Sequence, residues 1–165
     1  MYTLPAGYPN DAFAAFDFLK SKKTLADEDF IVLALVESIG ELFYEILAKG
    51  IDNAEARSLL THNAAEERGH AHRMLKALRL RGAEPFELPP VAENPFFAMA
   101  PTEVPASDEL FGLLEAGEVE GDLQYHRWAE GEPNAEVAQL LRLNGVEETR
   151  HCERVQQVKA LLSAA

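Results

Sequence analysis

The chain has 165 residues, of which 47% are hydrophobic and 26% are charged, a composition typical of one globular domain with a substantial core. The net charge of −13 argues against a nucleic-acid partner, because no basic run is present to neutralise phosphates. No apolar run is long enough to cross a membrane, and the N-terminus lacks the pattern of a signal peptide. The single Cys152 excludes an internal disulfide and a Cys-based metal module. We therefore expect a cytoplasmic protein.

Residues 1–23 are predicted to form an N-terminal arm that contains one short helix. Prolines and glycines make residues 1–10 irregular, and Asn10 or Asp11 is placed to cap a helix that ends near Lys20. This arm lies outside the repeated part of the sequence that is described below.

Residues 25–80 are predicted to form a hairpin of two long helices. The first helix covers about residues 25–48 and ends at Gly50, and the second covers about residues 53–80. Residues 31–36 of the first helix are apolar on all sides, which indicates burial against the bundle and also against another subunit. We therefore expect a homodimer.

Residues 81–106 have a different composition, because six of the nine prolines lie there. We predict a long non-helical crossover, of the kind that a four-helix bundle with one crossover connection needs to return along its full length. A second hairpin is predicted for residues 107–162, with helices over about 108–129 and 135–162. The expected fold is therefore all-α, a four-helix bundle made of two antiparallel hairpins.

The two predicted hairpins are copies of each other. His70 and His151 are 81 positions apart, and at that offset residues 26–78 and 107–159 are identical at about 20 of 53 aligned positions. A tandem duplication explains this agreement better than chance does. The strongest repeat reads Asn-x-x-Glu-Glu-x-x-His-x-x-Arg and begins at Asn63 and at Asn144.

Glu-x-x-His places a carboxylate and an imidazole on one face of a helix, one turn apart. Counted from the hairpin turn, Glu37 on the first helix lies at about the same depth as Glu67 and His70 on the second. The second hairpin repeats this arrangement, so six side chains are expected to converge on one point of the bundle: Glu37, Glu67, His70, Glu118, Glu148 and His151.

Four carboxylates that face one another in an apolar core require compensating positive charge, because desolvation and mutual repulsion oppose their ionisation. Two bound cations would supply it, and mixed carboxylate and imidazole ligands favour iron or manganese. Tyr44 and Tyr125 lie two turns from Glu37 and Glu118 on the same helix faces, and we expect them to bond to the carboxylates or to pass electrons.

With these motifs the sequence resembles the ferritin-like di-iron carboxylate proteins, and among them the rubrerythrins. In that superfamily one Glu from each of two helices and Glu-x-x-His from each of two others hold two iron ions. The resemblance covers residues 25–162 and includes the steps Val36-Glu37-Ser38 and Ala116-Gly117-Glu118. It implies two iron ions per chain, with manganese as the alternative metal.

Carried over from the superfamily, Glu67 and Glu148 are the bridging carboxylates, while Glu37 and Glu118 are terminal ligands. The resemblance to di-iron monooxygenases makes Glu66 and Glu147, which precede the bridging residues, candidates for orienting the histidines, with Glu in place of the usual Asp. The alternative is that Glu66 and Glu147 form surface pairs with Arg73 or Arg154.

Other polar residues have simpler interpretations. Glu37 also belongs to a stripe with Glu41 and Glu45 that is compatible with a solvated helix face, although only Glu37 is retained in the second copy. Three histidines, His62, His72 and His126, have no counterpart across the repeat and are expected at the surface. Gly40 and Gly121 lie in the middle of two predicted helices, where glycine is unfavourable, and they indicate close helix packing or a channel to the metals.

Three functions fit such a site. The first is a rubrerythrin-like oxidoreductase that reacts with peroxide or dioxygen and takes electrons from an external donor, although Gly121 stands where rubrerythrins usually carry a further Glu ligand. The second is an oxygenase or oxidase for an organic substrate, with a pocket shaped by Phe86, Phe96 and Phe97. The third is bacterioferritin-like iron storage, for which Arg68 replaces the haem-ligating Met, so no haem is expected.

Overall fold

A computed structural model describes residues 2–164, and within them the backbone forms five α-helices and no strands. The helices are α1 (Ala12–Lys20), α2 (Asp27–Lys49), α3 (Ala54–Leu80), α4 (Asp108–Gly131) and α5 (Ala135–Ser163). The all-α prediction is confirmed, and the predicted ends of the helices lie within two residues of the observed ones. None of these helices is both long and apolar enough to cross a lipid bilayer.

Side-chain caps begin four of the five helices. Asp11, Asn53, Ser107 and Asn134 each accept a hydrogen bond from a backbone N–H of the following turn. The exception is α2, where Asp29 reaches back to accept a bond of 2.8 Å from the backbone N–H of its N-cap residue. Local sequence therefore defines the helix starts almost completely.

The four long helices pack as a bundle in which sequential helices are antiparallel. Arg81, just after α3, binds Asp27 at the start of α2 with a distance of 2.6 Å. Lys159 near the end of α5 lies 3.8 Å from Glu115 near the start of α4. The two helices of each hairpin therefore run in opposite directions, and α3 also packs against α5.

The apolar segment of α2 is buried by the chain itself. Val32, Leu33, Ala34 and Leu35 are fully buried, and they belong to one core cluster together with residues of α1 such as Leu19. Burial on several sides of this segment therefore does not require the second subunit that the sequence suggested.

The sequence predicted a non-helical crossover between α3 and α4. The structure differs, because the crossover contains two 3₁₀ turns, Val91–Glu93 and Phe97–Met99. Asn94 attaches it to α2, because its side-chain amide donates to the backbone oxygen of Leu35 at 2.9 Å and to the Ser38 hydroxyl at 2.7 Å. Phe96 is buried beside this contact. The crossover is therefore a packed layer over the first hairpin.

Candidate metal centre

Six buried side chains from four helices meet in the middle of the bundle. Both imidazoles are fully buried, and the four carboxylates are between 6% and 8% exposed. Each long helix supplies the residue or residues that the sequence predicted for it: Glu37 from α2, Glu67 and His70 from α3, Glu118 from α4, and Glu148 and His151 from α5.

The six side chains form two overlapping groups of four potential ligands. Within each group, one ligand atom from each residue lies within 4.8 Å of the others. The groups share two residues and are Glu37, Glu67, His70 and Glu148 on one side, and Glu67, Glu118, Glu148 and His151 on the other. Two overlapping groups fit two neighbouring ions rather than one.

The spacing of the atoms around His70 fits a metal better than direct bonds between the side chains. Its Nδ1 lies 3.6 Å from Glu37 Oε2, 3.5 Å from Glu67 Oε2 and 3.4 Å from Glu148 Oε1, and it has no hydrogen-bond partner. Ligand atoms that lie about 2.1 Å from one ion at angles of about 90–109° are about 3.0–3.4 Å apart, which matches the shortest of these distances, while the other two are slightly longer. The unpartnered nitrogens and the carboxylates therefore fit a metal ion between them.

Two of the carboxylates span both groups. Glu67 directs Oε2 to His70 and Oε1 to His151, at 3.5 Å and 3.4 Å from their Nδ1 atoms. Glu148 directs Oε1 to His70 at 3.4 Å and Oε2 to His151 at 3.2 Å. Since each oxygen faces a different half, both side chains have the geometry of bridging ligands.

Glu37 and Glu118 each approach only one of the two histidines. Glu118 Oε2 lies 3.5 Å from His151 Nδ1, just as Glu37 lies beside His70. This is the geometry of terminal ligands. The roles of all six residues as metal ligands stay predictions, because they depend on bound metal.

The second oxygen of each terminal carboxylate is bonded to a tyrosine of the other hairpin. Tyr44 on α2 donates to Oε1 of Glu118 on α4, and Tyr125 on α4 donates to Oε1 of Glu37 on α2. Burial, and next the neighbouring carboxylate, raise the pKa of both phenols well above the usual value, so each keeps its proton as a donor. The sequence indicated bonding to a carboxylate but did not identify which one.

Glu66 and Glu147 also reach across the bundle. Glu66 Oε2 lies 3.2 Å from Nε2 of His151 and 2.7 Å from Nη1 of Arg154, both on α5. Burial opposes ionisation of Glu66, but the contacts with His151 and Arg154 outweigh it and lower its pKa to about 2. An ionised Glu66 at ion-pair distance favours a proton on Nε2, which leaves Nδ1 free to bind metal.

Glu147 makes the same contacts in the opposite direction, with Nε2 of His70 at 3.2 Å and with Arg73. The two interpretations of these glutamates from the sequence therefore do not exclude each other. Each Glu contacts a candidate metal ligand and an Arg at the same time, and both partners belong to the opposite hairpin.

Two buried asparagines complete this network, and the sequence analysis gave them no role. Asn63 accepts a hydrogen bond of 2.8 Å from Arg154 and donates one of 3.4 Å to the backbone oxygen of His151. Asn144 accepts the equivalent bond from Arg73. Both asparagines and both arginines recur at the 81-residue offset, and this recurrence could have indicated their role from the sequence.

The glycines in the middle of α2 and α4 leave room for Glu67 and Glu148, the two candidate bridging carboxylates. A Cβ atom on Gly40 would lie 3.2 Å from Cδ of Glu67, and one on Gly121 would lie 3.4 Å from Cδ of Glu148. The sequence left two explanations for these glycines, close helix packing or a channel to the metals, and the contacts support close packing. The contact at Gly40 is the tighter of the two.

The ionisable groups of the centre share protons when no metal neutralises them. Burial, and next the charge of Glu67, raise the pKa of Glu37 to about 8, and burial with the charge of Glu148 raises that of Glu118. Contacts with the carboxylates overcome burial and raise the pKa of both His70 and His151. Protons on these groups offset the buried negative charge, which bound cations would offset instead if the centre holds metal.

Four other residues are not among the candidate ligands. His62 and His72 are exposed, as predicted, although Nε2 of His62 lies 3.5 Å from Oε1 of Glu66, whereas His126 is only partly exposed and lies 2.9 Å from Asp122. Cys152, which follows His151 in the chain, is buried, and its sulfur lies 3.8 Å from the backbone oxygen of Glu115.

Comparison with known families agrees with this geometry. Comparisons with curated proteins and with solved structures gave no match. The model of the rubrerythrin family matches residues 34–159, a span that begins in α2, ends in α5 and includes all six candidate ligands. The chain therefore belongs to the rubrerythrin family, within the ferritin-like di-iron carboxylate superfamily.

Proposed function

We propose that this protein is a di-iron oxidoreductase that reduces peroxide with electrons from an external donor. The observation that carries the proposal is the pair of overlapping ligand groups, in which both histidines direct an unpartnered Nδ1 atom toward buried carboxylates. A site built only for stability would pair these atoms directly, because an unpartnered buried polar group is costly.

The charge of the centre supports two divalent ions. Four ionised carboxylates carry a charge of about −4, which two divalent cations neutralise in full while the imidazoles stay neutral. Oxygen and imidazole nitrogen ligands suit iron and manganese, and the absence of thiolate ligands argues against zinc of the structural type. We take iron as the native metal and manganese as the alternative.

Bound ferrous iron would supply the two electrons that, with two protons, convert one peroxide molecule into two water molecules. The protein's own groups hold the carboxylates and imidazoles in position and limit the access of water. Tyr44 and Tyr125 keep their protons and orient the terminal carboxylates, while Glu66 and Glu147 orient the imidazoles. An external donor would return the electrons.

A small oxidant fits the surroundings of the centre better than an organic substrate does. The carboxylates are at most 8% exposed. A surface cavity of about 230 Å³ lies between α2, α3 and the crossover, but it is lined by residues such as Ser38, Leu42 and Pro89 and by none of the six ligands.

The prediction that three phenylalanines shape a substrate pocket is not supported. Phe96 is buried in the core, Phe86 packs edge-on against Tyr2 at 5.1 Å, and neither Phe97 nor the other two line this cavity. This cavity therefore gives the oxygenase alternative no support, whereas the contacts of Glu66 and Glu147 with the histidines fit both alternatives.

Rapid mixing of the ferrous protein with peroxide or with dioxygen tests the proposal. We expect oxidation by peroxide to be at least about tenfold faster at equal oxidant concentration, which corresponds to about 1.4 kcal/mol of barrier. Faster oxidation by dioxygen would favour an oxidase or oxygenase. The Glu67→Ala variant, which lacks a bridging carboxylate, is the control for iron bound elsewhere on the chain.

A further inference from the structure

Asp122 and His126 form a polar pair on the outer side of the boundary between α4 and α5. Nδ1 of His126 lies 2.9 Å from Oδ1 of Asp122, and the side chains of His126 and Asp122 are 44% and 29% exposed. Oδ1 is itself enclosed and, despite this short distance, has no hydrogen-bond partner, while Nδ1 also lies 3.0 Å from the backbone oxygen of Asp122. A carboxylate oxygen and an imidazole nitrogen at this separation fit a divalent cation between them.

This polar pair lies directly outside the metal centre. Thr149, which follows Glu148 in the chain, donates a hydrogen bond of 3.1 Å from its hydroxyl to Oδ2 of Asp122. A Cβ atom on Gly121, which precedes Asp122, would lie 3.4 Å from Cδ of Glu148. Asp122 on the outer side and the candidate bridging carboxylate on the inner side therefore occupy neighbouring positions of the same two helices.

Gly145 on α5 leaves room for the polar pair. A Cβ atom at this position would lie 2.7 Å from Nδ1 of His126 and 3.1 Å from Oδ1 of Asp122, so any larger residue would displace both groups. At the 81-residue offset the first hairpin has Ala64 instead, and its side chain is buried. The second hairpin therefore has a recess at its outer surface that the first hairpin lacks.

The equivalent place in the first hairpin is closed by a positive charge. The residues at the 81-residue offset from Asp122, His126 and Thr149 are Glu41, Glu45 and Arg68. Nε of Arg68 donates to Oε1 of Glu41 at 2.7 Å, and Nη2 of Arg68 lies 4.0 Å from Glu45. A guanidinium held in this position repels an approaching cation, whereas Thr149 is uncharged.

From this difference between the hairpins we infer that Asp122 and His126 form an entry site, through which divalent cations reach the metal centre from the side of the second hairpin. The entry site rests on the proposed function only in that the centre must bind divalent metal, and it is independent of the reaction with peroxide. Glu148 packs against Gly121 and leaves no open channel, so passage requires rotamer changes of Asp122 and Glu148. Two protein ligands hold a cation weakly, which permits its transfer to the six ligands of the centre.

The rate of metal uptake tests the entry site. Rapid mixing of the metal-free protein with excess Co²⁺ follows uptake through the absorbance of the bound ion. We expect Asp122→Asn and His126→Ala each to slow uptake by at least about tenfold, because electrostatic focusing at a cleft raises association rates by about 10–1,000-fold. Release to excess chelator should slow by the same factor, because a residue that lies only on the route does not change the affinity of the centre.

The repeat supplies matched controls and a reciprocal exchange. Glu41→Gln and Glu45→Ala change the equivalent positions of the first hairpin and should leave the uptake rate unchanged. Thr149→Arg introduces the guanidinium of the first hairpin into the second and should slow uptake by at least about tenfold. Arg68→Thr removes that guanidinium and should raise the uptake rate, because a second route then operates in parallel. Unchanged far-UV circular dichroism and final cobalt content of each variant show that the fold and the centre are intact.

A second measurement detects the cation at the entry site directly. The centre is first filled with Zn²⁺, which such ligands hold more tightly than Mn²⁺, and paramagnetic Mn²⁺ is then added. We expect the ring signals of His126 in the NMR spectrum to broaden at lower Mn²⁺ concentration than those of the exposed His62 and His72.

Three results would each overturn the entry site. These are an uptake rate that Asp122→Asn and Thr149→Arg leave unchanged, equal slowing in the controls of the first hairpin, and broadening at His126 that does not precede that at His62 and His72. A wild-type protein that binds no Co²⁺ at all would overturn the metal centre of the proposed function together with its entry site.

Discussion

Tyr44 on α2 donates a hydrogen bond to Glu118 on α4, the candidate terminal ligand of the opposite hairpin. Tyr125 makes the reverse bond to Glu37. The phenol of each hairpin therefore orients a candidate ligand of the other, as Glu66 and Glu147 do for the histidines. Neither hairpin by itself contains a complete half of the centre.

Removal of the phenol hydroxyl should weaken metal binding without abolishing it. In Tyr44→Phe the Oε1 atom of Glu118 loses its donor in a buried environment, which costs about 1–3 kcal/mol in general. We expect both metal ions to bind with affinity reduced by about tenfold or more, measured by competition with a chelator. Tyr8→Phe is the matched control, since Tyr8 donates to Asp29 far from the centre. Equal losses in the two variants would contradict this role for Tyr44.

The bridging and terminal carboxylates should differ in how many ions their loss removes. Glu67 belongs to both ligand groups and Glu37 to only one. We therefore expect Glu67→Ala to lose both ions and Glu37→Ala to retain about one per chain, measured by elemental analysis after loading with ferrous iron. The exposed Glu153 provides the control, because Glu153→Ala should keep about two ions. Equal metal content in the Glu67 and Glu37 variants would refute the assignment of bridging and terminal roles.

The contact between Glu66 and His151 should affect affinity more than stoichiometry. In Glu66→Gln the carboxylate that favours a proton on Nε2 is lost, and removal of such a partner of a metal-bound histidine typically costs about 10–100-fold in metal affinity. Iron titration followed by absorbance measures the change, and Glu153→Gln on α5 is the control. An affinity within twofold of the wild type would show that Glu66 pairs only with Arg154.

The two mid-helix glycines should respond differently to replacement by alanine. A Cβ atom on Gly40 would lie 3.2 Å from Cδ and 3.3 Å from Oε2 of Glu67, so Gly40→Ala must displace a bridging carboxylate and reduce metal affinity. Gly121→Ala meets Glu148 at 3.4 Å and should keep its metal while gaining up to about 1 kcal/mol of helix stability. Chelator competition and urea unfolding measure the two effects. Equal loss of metal in both variants would contradict the difference in packing.

Metal uptake should release protons and strengthen as the pH rises. With its pKa raised to about 8, Glu37 keeps its proton at neutral pH in the metal-free protein, and the raised pKa values of Glu118, His70 and His151 act in the same direction. Because a ligand must lose its proton to bind metal, affinity should increase from about pH 6 to about pH 8, with release of up to about four protons per pair of ions.

Calorimetric titration in buffers of different ionisation enthalpy counts the released protons. Glu67 and Glu148, whose pKa values are lowered, are already ionised and contribute none. No net release of protons, together with an affinity independent of pH across this range, would show that these four groups are already deprotonated before metal binds.

The helices and the six candidate ligands could be predicted from local pattern alone. Capping residues and glycines mark the ends of the helices, and the spacing of Glu37, Glu67 and His70 from the hairpin turn defines their depth in the bundle. The repeat supplied the second check, because a candidate ligand kept at the 81-residue offset stands out from neighbours such as Glu41, which is replaced by Asp122 in the second copy. These properties depend on positions along the chain, which a sequence states directly.

Contacts across the bundle could not be predicted in this way. Helical spacing specifies the face on which Tyr44 lies, but the side chain opposite that face depends on the packing angle and register of another helix. The sequence alone therefore determined the helices, the repeat and the residue types of a candidate two-metal centre. Only the tertiary structure decided that the hairpins exchange partners, with Tyr44 on Glu118 and Glu66 on His151, and that α1 and the crossover bury α2, because such distances are set by packing between distant segments.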